Sequence, residues 1–308
     1  MKRKKMSSNT KDWTRFLEPE ALSGLKSLDI IARMIVEGFL VGLHKSPFHG
    51  FSAEFSEHRP YMPGDDLKKL DWKVYGKTGR YYIKQFEEET NVRAYLLLDI
   101  SGSMGYASGK ISKLEYAKYL TAALTYLLIQ QRDAVGLTLF DEKIRQQLPP
   151  KSTPSYQRHI LQQLARLEAG QNRTSVSQTL HLVAEQIKRR SMIILLSDFL
   201  YEEPAKILEG LRHFRHYQHE LLVFNILDPQ DRDFDFSDDV TFIDRETGER
   251  IKTQPQLLRE EYRQKVREFF GTLQEECLRY RIDFQTIFTD EPFSRALLRY
   301  LLMRSRLK

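Results

Sequence analysis

Cysteine is nearly absent from this chain of 308 residues, since Cys277 is the only one. A single cysteine excludes an internal disulfide framework and a cysteine-based zinc site, and it favours a small buried apolar residue on a helix. Long apolar runs are also lacking, because the stretch 119–129 is interrupted by threonines and is too short to span a bilayer. The stretch 6–12 is too polar for the core of a signal peptide. We therefore expect a cytoplasmic protein without a membrane span.

Glycine-rich phosphate loops of the Walker A and Rossmann types are missing, so we expect that the chain itself does not hydrolyse ATP. The net charge of +6 is mild and partly terminal, and an acidic segment at 228–244 opposes it. A nucleic-acid-binding protein needs a clustered basic face with aromatic platforms between the charges. No such stripe is present, and we expect no nucleic-acid partner.

What the chain does contain is enough apolar material for a sizeable core, with 41% hydrophobic and 11% aromatic residues. Residues 1–90 read as an N-terminal accessory region. Apolar residues at helical spacing predict a helix at about 20–43, and glycines and prolines divide 49–90 into a lobe of turns and short strands. Within this lobe the charged residues from Arg59 to Lys73 are interpreted as a structural network rather than a partner-contact surface.

Residues 91–303 alternate short apolar runs with amphipathic helices, the pattern of a parallel sheet covered on both faces. The fold class is therefore α/β, a doubly wound, mostly parallel six-stranded sheet of Rossmann type. We predict the strand order 3-2-1-4-5-6, with the third strand antiparallel to the second, and a hairpin insertion at about 238–252. The predicted strands are 92–98, 134–140, 143–148, 192–196, 221–227 and 282–288.

Two acidic residues directly follow apolar strands of this predicted sheet. Asp99 ends the run Tyr95–Asp99, and Asp198 follows the run 193–197. In the predicted order the first and fourth strands are neighbours at the switch point, where ligands bind beyond the carboxyl ends. Two like charges held together there repel each other unless a cation neutralises them. The pattern predicts a metal site.

The loop after the first strand adds the hydroxyls of Ser101 and Ser103, and Gly102 between them is expected to permit a tight turn. Thr174, just before a predicted helix, is a candidate third hydroxyl. Oxygen ligands favour Mg²⁺, and Mn²⁺ or Ca²⁺ also fit such a set. With only two full charges the metal stays electron-poor and accepts a carboxylate from another molecule. This indicates a protein that binds a partner rather than an enzyme.

Simpler interpretations of the same residues remain open. The serines could form a plain turn that caps the helix starting near residue 110, and Asp198 or Thr174 could be helix caps. An enzymatic alternative is phosphotransfer with Asp99 as nucleophile and a magnesium ion. This arrangement resembles haloacid dehalogenase enzymes, although those enzymes need a second aspartate where Ser101 stands. His213, His216 and His219 lack an acidic or cysteine companion at ligand spacing, so a solvated face is favoured over a zinc site.

These residues, together with the strand pattern, resemble the metal-ion-dependent adhesion site of von Willebrand factor A domains. The resemblance implies that Asp99, Ser101, Ser103, Thr174 and Asp198 are the five metal-ligand positions. The chain departs from that pattern around Thr174, where the usual small residues are replaced. It also departs in the last loop, which reads Ser-Asp-Phe instead of Thr-Asp-Gly.

A closer resemblance covers nearly the whole chain. The segments Phe51–Asp66, Leu70–Lys73 and Phe242–Glu249 are similar to the hallmark of the bacterial family known as domain of unknown function 58. Members are typically encoded beside MoxR-type AAA+ ATPases. The resemblance therefore implies such an ATPase as partner, an unidentified client protein, and a role in the assembly or maturation of other proteins.

Overall fold

The computed structural model describes residues 18–22, 25, 27–44, 58–60, 75–76, 78–84, 92–170, 176–200, 202–236, 240–243 and 250–305. The α-helices described within these residues are α1 (Pro19–Leu22), α2 (Leu28–His44), α3 (Lys113–Gln130), α4 (Pro154–Ala165), α5 (Val176–Gln186), α6 (Pro204–His216), α7 (Pro229–Asp233), α8 (Pro255–Arg279) and α9 (Ser294–Ser305). The strands are β1 (His58–Pro60), β2 (Tyr82–Lys84), β3 (Arg93–Asp99), β4 (Ala134–Phe140), β5 (Ile144–Lys151), β6 (Met192–Ser197), β7 (Glu220–Leu227), β8 (Val240–Ile243), β9 (Arg250–Thr253) and β10 (Asp283–Phe288).

Six strands form one sheet in the order β10-β7-β6-β3-β4-β5. All neighbours are parallel except β5, which pairs antiparallel with β4. Counted along the chain within the sheet, this is the order 3-2-1-4-5-6 read from the opposite edge. The predicted α/β fold class, strand order and antiparallel third strand are confirmed.

The edge strand β5 continues through Pro149 and Pro150 to Lys151, whereas the prediction ended it at residue 148. Proline cannot donate a hydrogen bond to a neighbouring strand. An edge strand pairs on one side only, so it tolerates prolines that would break a central strand. The predicted boundary was wrong for this reason.

Alternate residues of the central strands face opposite layers of helices. Leu96 and Leu98 of β3 lie in the core formed with α2, α3, α4 and α9, while Leu97 lies in the core formed with α5, α6 and α8. Because side chains of a strand point to alternate faces, both faces of β3 are buried. The uninterrupted apolar runs of the sequence are explained by this double coverage.

Helix α3 carries part of the candidate site. Ser112 caps its N-terminus by accepting a hydrogen bond of 3.1 Å from the amide of Glu115. Nearly all of its residues are buried, including the first, Lys113, because α2 and α4 cover it on the side away from the sheet. Helix α2 thereby belongs to the same core as the sheet. The first turn of α3 is held at the carboxyl end of β3.

Two smaller strand pairs flank the main sheet: β1 pairs with β2, and β8 with β9, both antiparallel. The second pair lies where the sequence predicts a hairpin. The helix predicted at about 20–43 is divided into α1 and α2. No helix in the described part of the chain is long and apolar enough to cross a membrane.

Candidate metal centre

The carboxyl ends of β3 and β6 bring two acidic side chains to one edge of the sheet. These strands are parallel neighbours, with Leu98 opposite Leu196, so Asp99 and Asp198 both lie at the carboxyl edge of the sheet, with Asp198 one position further along its strand. Asp99 is 0% exposed and Asp198 is 1% exposed. The sheet order therefore produces the convergence of the two carboxylates that the sequence predicts.

Asp99 is held by donors from both strands. Its Oδ1 accepts a hydrogen bond of 2.9 Å from the amide of Ser101, and its Oδ2 accepts one of 2.6 Å from the hydroxyl of Ser197. The hydroxyl of Ser101 lies 3.1 Å from that of Ser103, and both serines are buried. Four oxygen-bearing side chains thus meet at this edge.

The serine loop is a right-handed turn that continues into a 3₁₀ helix at Ser103–Gly105. Gly102 has φ −58° and ψ −37°, a conformation open to any residue, so the expected use of its conformational freedom was wrong. The alternative role of these serines as helix caps is also excluded, since α3 begins at Lys113 and is capped by Ser112.

Asp198 does not cap a helix either. Helix α6 begins at Pro204 after the N-cap residue Glu203. Phe199, which directly follows Asp198, has φ 55°, in the left-handed region. The resembled pattern has glycine at this position. A phenylalanine there costs about 1–2 kcal/mol, which burial of its ring offsets, since Phe199 is 1% exposed. The Ser-Asp-Phe departure therefore keeps a backbone conformation that glycine adopts freely.

Burial and, to a smaller extent, the charge of Asp198 raise the pKa of Asp99 to about 7, against the opposing effect of the hydrogen bonds from Ser197 and Ser101. Water is excluded from the carboxylate, and its nearest charge is of the same sign. A cation placed between the two carboxylates would relieve this unfavourable arrangement.

Sequence reasoning missed the cation that the chain itself supplies. The ammonium of Lys113 lies 2.7 Å from Oδ2 of Asp198 and 3.2 Å from Oδ2 of Asp231, and the lysine side chain is 1% exposed. Burial by itself lowers the pKa of Lys113, but the charges of the two aspartates outweigh it and raise the pKa above its usual value. Lys113 is therefore a buried, charged part of the site.

One signal in the sequence could have identified Lys113. It immediately precedes Leu114, the first residue of the apolar stripe of α3, and it occupies the first turn of the helix. A positive charge is unfavourable near a helix N-terminus, where the helix dipole is positive. A lysine that is both close to the buried stripe and at this end of a helix needs an acidic partner.

Asp231, the second aspartate that contacts Lys113, lies on the short helix α7. Asp231 accepts the amide of Asp228 at 2.9 Å through the same oxygen that faces Lys113, within a capping box. Asp228 in turn accepts the amide of Ser108 at 2.8 Å, which ties α7 to the loop after β3. Burial raises the pKa of Asp231, although Lys113 opposes the shift. Asp99, Asp198, Asp231 and Lys113 together carry a formal charge of −2 when all are ionised.

The remaining predicted ligand, Thr174, lies outside the described residues, as do most residues from Arg59 to Lys73. Within the described part, no group of three or more histidine, cysteine, aspartate or glutamate side chains is arranged to hold a metal. The candidate site differs from such a cluster because it combines two carboxylates with serine hydroxyls.

The three histidines considered for zinc do not converge. His213 places its Nδ1 2.8 Å from Nδ1 of His181, and His219 is buried and accepts the amide of Ser191 at 3.2 Å. His216 is exposed beside Tyr217. The solvated face expected for these histidines is confirmed for His216 but was wrong for His219, which is 1% exposed.

The fold and this edge define a doubly wound α/β protein with an acidic, hydroxyl-rich site at its switch point. The chain belongs to the family described as "Protein of unknown function DUF58", whose model matches residues 57–269. The family resemblance drawn from the sequence is confirmed. Uncharacterized proteins of Mycobacterium tuberculosis and Mycobacterium bovis are 25% identical over 233 residues, which cover 75% of this chain and 73% of those proteins.

Two solved structures have similar folds. One is BatB from Bacteroides thetaiotaomicron, described as a conserved hypothetical protein, with 16% identity and a TM-score of 0.48 over 70% of this chain and 100% of that one. The other is an aerotolerance-related membrane protein from Bacteroides fragilis, with 18% identity and a TM-score of 0.49 over 70% of this chain and 99% of that one. Neither description names a ligand or a partner.

Proposed function

We propose that the chain is a non-catalytic, metal-dependent protein-binding module of von Willebrand factor A type. Its ligands for Mg²⁺, or for Mn²⁺ or Ca²⁺, are Asp99, Ser101, Ser103, Thr174 and Asp198. The observation that carries the proposal is the pair of buried carboxylates at the ends of β3 and β6, with the adjacent buried hydroxyls of Ser101 and Ser103 in the loop after β3.

The donor set and its charge fit a hard dication. Carboxylate and hydroxyl oxygens are the ligands that Mg²⁺ prefers, and a charge of +2 would balance the formal −2 of the site. The pKa of about 7 for Asp99 also indicates that the charge of this carboxylate is poorly compensated by the protein alone. Thr174 is included because the resemblance to the metal-ion-dependent adhesion site assigns it a ligand position.

When bound, the metal supplies an electron-poor coordination position for a carboxylate of a partner protein. The residues of the chain prepare that position. Ser197 and the amide of Ser101 orient Asp99, and Lys113 is held by Asp231 as well as by Asp198. If Asp198 bound a metal, Asp231 could still hold the ammonium of Lys113.

For the partners, we propose a MoxR-type AAA+ ATPase and an unidentified client protein, in the cytoplasm. Support comes from membership of the family and from the gene neighbourhood that the family resemblance implies. Co-expression with an affinity tag tests this pairing. We expect the ATPase to co-purify in Mg²⁺ and to be lost in EDTA or on Asp99→Asn, and co-purification of nucleic acid alone would contradict it.

The enzymatic alternative gains no support from the geometry. The haloacid dehalogenase enzymes that this arrangement resembles need a second acidic residue at position 101, and Ser101 instead donates its amide to Asp99 and approaches Ser103. We expect no turnover of phosphomonoesters in Mg²⁺. Turnover that is lost on Asp99→Asn would replace the binding function by an enzymatic one.

Isothermal titration with Mg²⁺ tests the metal site directly. We expect one binding event for the wild type and none for Asp99→Asn, which keeps the shape of the side chain but removes its charge. Asp141→Asn is a matched control, because Asp141 follows the neighbouring strand β4, is 2% exposed and is paired with Arg145 at 2.7 Å. This control should bind Mg²⁺ as the wild type does. Absence of binding in the wild type, or equal loss in both variants, would contradict the proposal.

A further inference from the structure

A cavity of about 730 Å³ opens beside the candidate metal centre. Ser103, Lys113 and Asp231 form its polar end. The rest of its wall is largely apolar and comes from α7, the hairpin β8–β9 and α8. Its aromatic residues are Tyr106, Phe234, Phe236, Phe242, Tyr262, Phe269 and Phe270. The volume falls in the range of about 300–1,000 Å³ that is typical of ligand sites.

One residue of the aromatic wall, Phe234, has an unfavourable backbone conformation. Phe234, which ends α7, has φ 46° in the left-handed region, although it is not glycine. Its ring stacks on Tyr262 at a centroid distance of 4.2 Å and on Phe242 at 5.5 Å. Left-handed conformations of bulky residues are rare and occur often at functional sites. The packing therefore holds the wall in one arrangement.

The rim of the cavity exposes apolar side chains to solvent. Ile251 is 60% exposed, Ile243 is 55% exposed and Leu258 is 43% exposed, and all three line the cavity. Exposed apolar patches of this kind mark interaction sites more often than scattered single residues do. The ionisable lining residues are two lysines, Lys113 and Lys265, and one aspartate, Asp231. Lys113 is paired with Asp198 and Asp231, and Lys265 is paired with Glu261 at 2.7 Å, so the wall itself does not select the charge of a ligand. A preference for an acidic ligand comes from the neighbouring metal.

We propose that this cavity, together with the metal centre, binds a partner segment in which an acidic residue stands next to bulky apolar residues. The inference rests on the proposed function, because the acidic side chain is the one that reaches the metal. Ser103 belongs both to the ligand set and to the cavity wall. A chain anchored at the metal therefore has its neighbouring side chains at the mouth of the cavity, where Ile251 and Leu258 cover them.

A displayed library of random linear peptides, selected on the full chain in Mg²⁺, tests the proposal. We expect enriched peptides to carry Asp or Glu within a few residues of Phe, Trp or Leu. Fluorescence anisotropy of one labelled enriched peptide then gives its affinity for each variant. Enrichment of basic peptides, or of acidic peptides without apolar neighbours, would overturn the proposal.

Adjacent leucines of α8 provide a matched pair of variants. Leu258→Ser removes a lining residue, whereas Leu257→Ser removes a neighbour that is 78% exposed and does not line the cavity. We expect Leu258→Ser and Ile251→Ser each to weaken peptide binding about tenfold, as loss of a partly buried aliphatic contact predicts. Leu257→Ser should leave the affinity unchanged, and all three variants should bind Mg²⁺ as the wild type does.

The two proposals fail in distinguishable ways. If the chain binds Mg²⁺ but its affinity for the peptide does not change in Leu258→Ser and Ile251→Ser, the cavity proposal is overturned. The metal site is then unaffected. Peptide binding without any Mg²⁺ binding overturns the proposed function. If Ile251→Ser converts a dimer into a monomer in light scattering, the occupant is a second copy of this chain. If Leu258→Ser instead lowers the free energy of unfolding far more than Leu257→Ser, the chain itself covers the cavity. Either result overturns the partner proposal.

Discussion

Replacing Lys113 by methionine removes the ammonium from the candidate site while keeping an unbranched apolar stem. In the wild type this ammonium lies 2.7 Å from Asp198 and 3.2 Å from Asp231, with the lysine side chain 1% exposed. The variant leaves these aspartates and Asp99 without an internal cation. Removing one partner of a buried ion pair costs about 3–5 kcal/mol, because the remaining charge stays buried without compensation. We expect the free energy of unfolding in EDTA to fall by this amount.

Magnesium should reduce that loss only by the amount by which it binds the variant more tightly than the wild type. A ligand present at 100 times its dissociation constant stabilises the folded state by about 2.7 kcal/mol. In Lys113→Met the ammonium no longer competes for Asp198, so we also expect Mg²⁺ to bind at least about tenfold more tightly, a further 1.4 kcal/mol or so. The difference between variant and wild type should therefore be large in EDTA and smaller in Mg²⁺.

Urea denaturation of both proteins, in EDTA and in saturating Mg²⁺, measures this coupling. Lys118→Met is the matched control, since Lys118 lies on the same helix and donates to the carbonyl of Leu167 at 3.0 Å, away from the two aspartates. Its effect should be the same in EDTA and in Mg²⁺. If Lys113→Met loses equal stability in both conditions, or binds Mg²⁺ no more tightly, Lys113 does not share the site with a metal.

Two further predictions concern buried groups away from the site. Burial lowers the pKa of His219 below its usual 6.5, so the unfolded chain takes up its proton first, and the free energy of unfolding should fall as the pH drops below about 6.5. His219→Gln should reduce this slope, and the exposed His216→Gln should not; equal slopes in all three proteins would refute the assignment. Burial raises the pKa of the Cys277 thiol to about 12, so we expect no reaction with a disulfide reagent at pH 8 until urea unfolds the chain. Rapid reaction of the native protein would contradict its burial.

The strand pattern was readable from the sequence because it is local. Apolar runs of strand length separated by amphipathic helices identify a parallel sheet, and the rules of doubly wound folds leave few strand orders. Asp99 and Asp198 were recognisable as a pair for the same reason, since each follows a buried strand directly. Boundaries were less certain, as the prolines of β5 show, because only the position of a strand at the edge of the sheet makes them acceptable.

Long-range contacts, in contrast, were decided by the tertiary structure. The sequence around Lys113 does not identify Asp198 or Asp231 as its partners, since these residues lie 85 and 118 positions away along the chain. The cavity beside the site is likewise formed by α7, the hairpin β8–β9 and α8, whose apolar residues alone do not show which of them remain exposed. The sequence by itself thus determined the sheet and the two acidic strand ends, because periodicity and strand ends are local properties. Only the tertiary packing decided which charged side chains and which aromatic rings contact one another at the site, because these contacts join segments that are distant in the sequence.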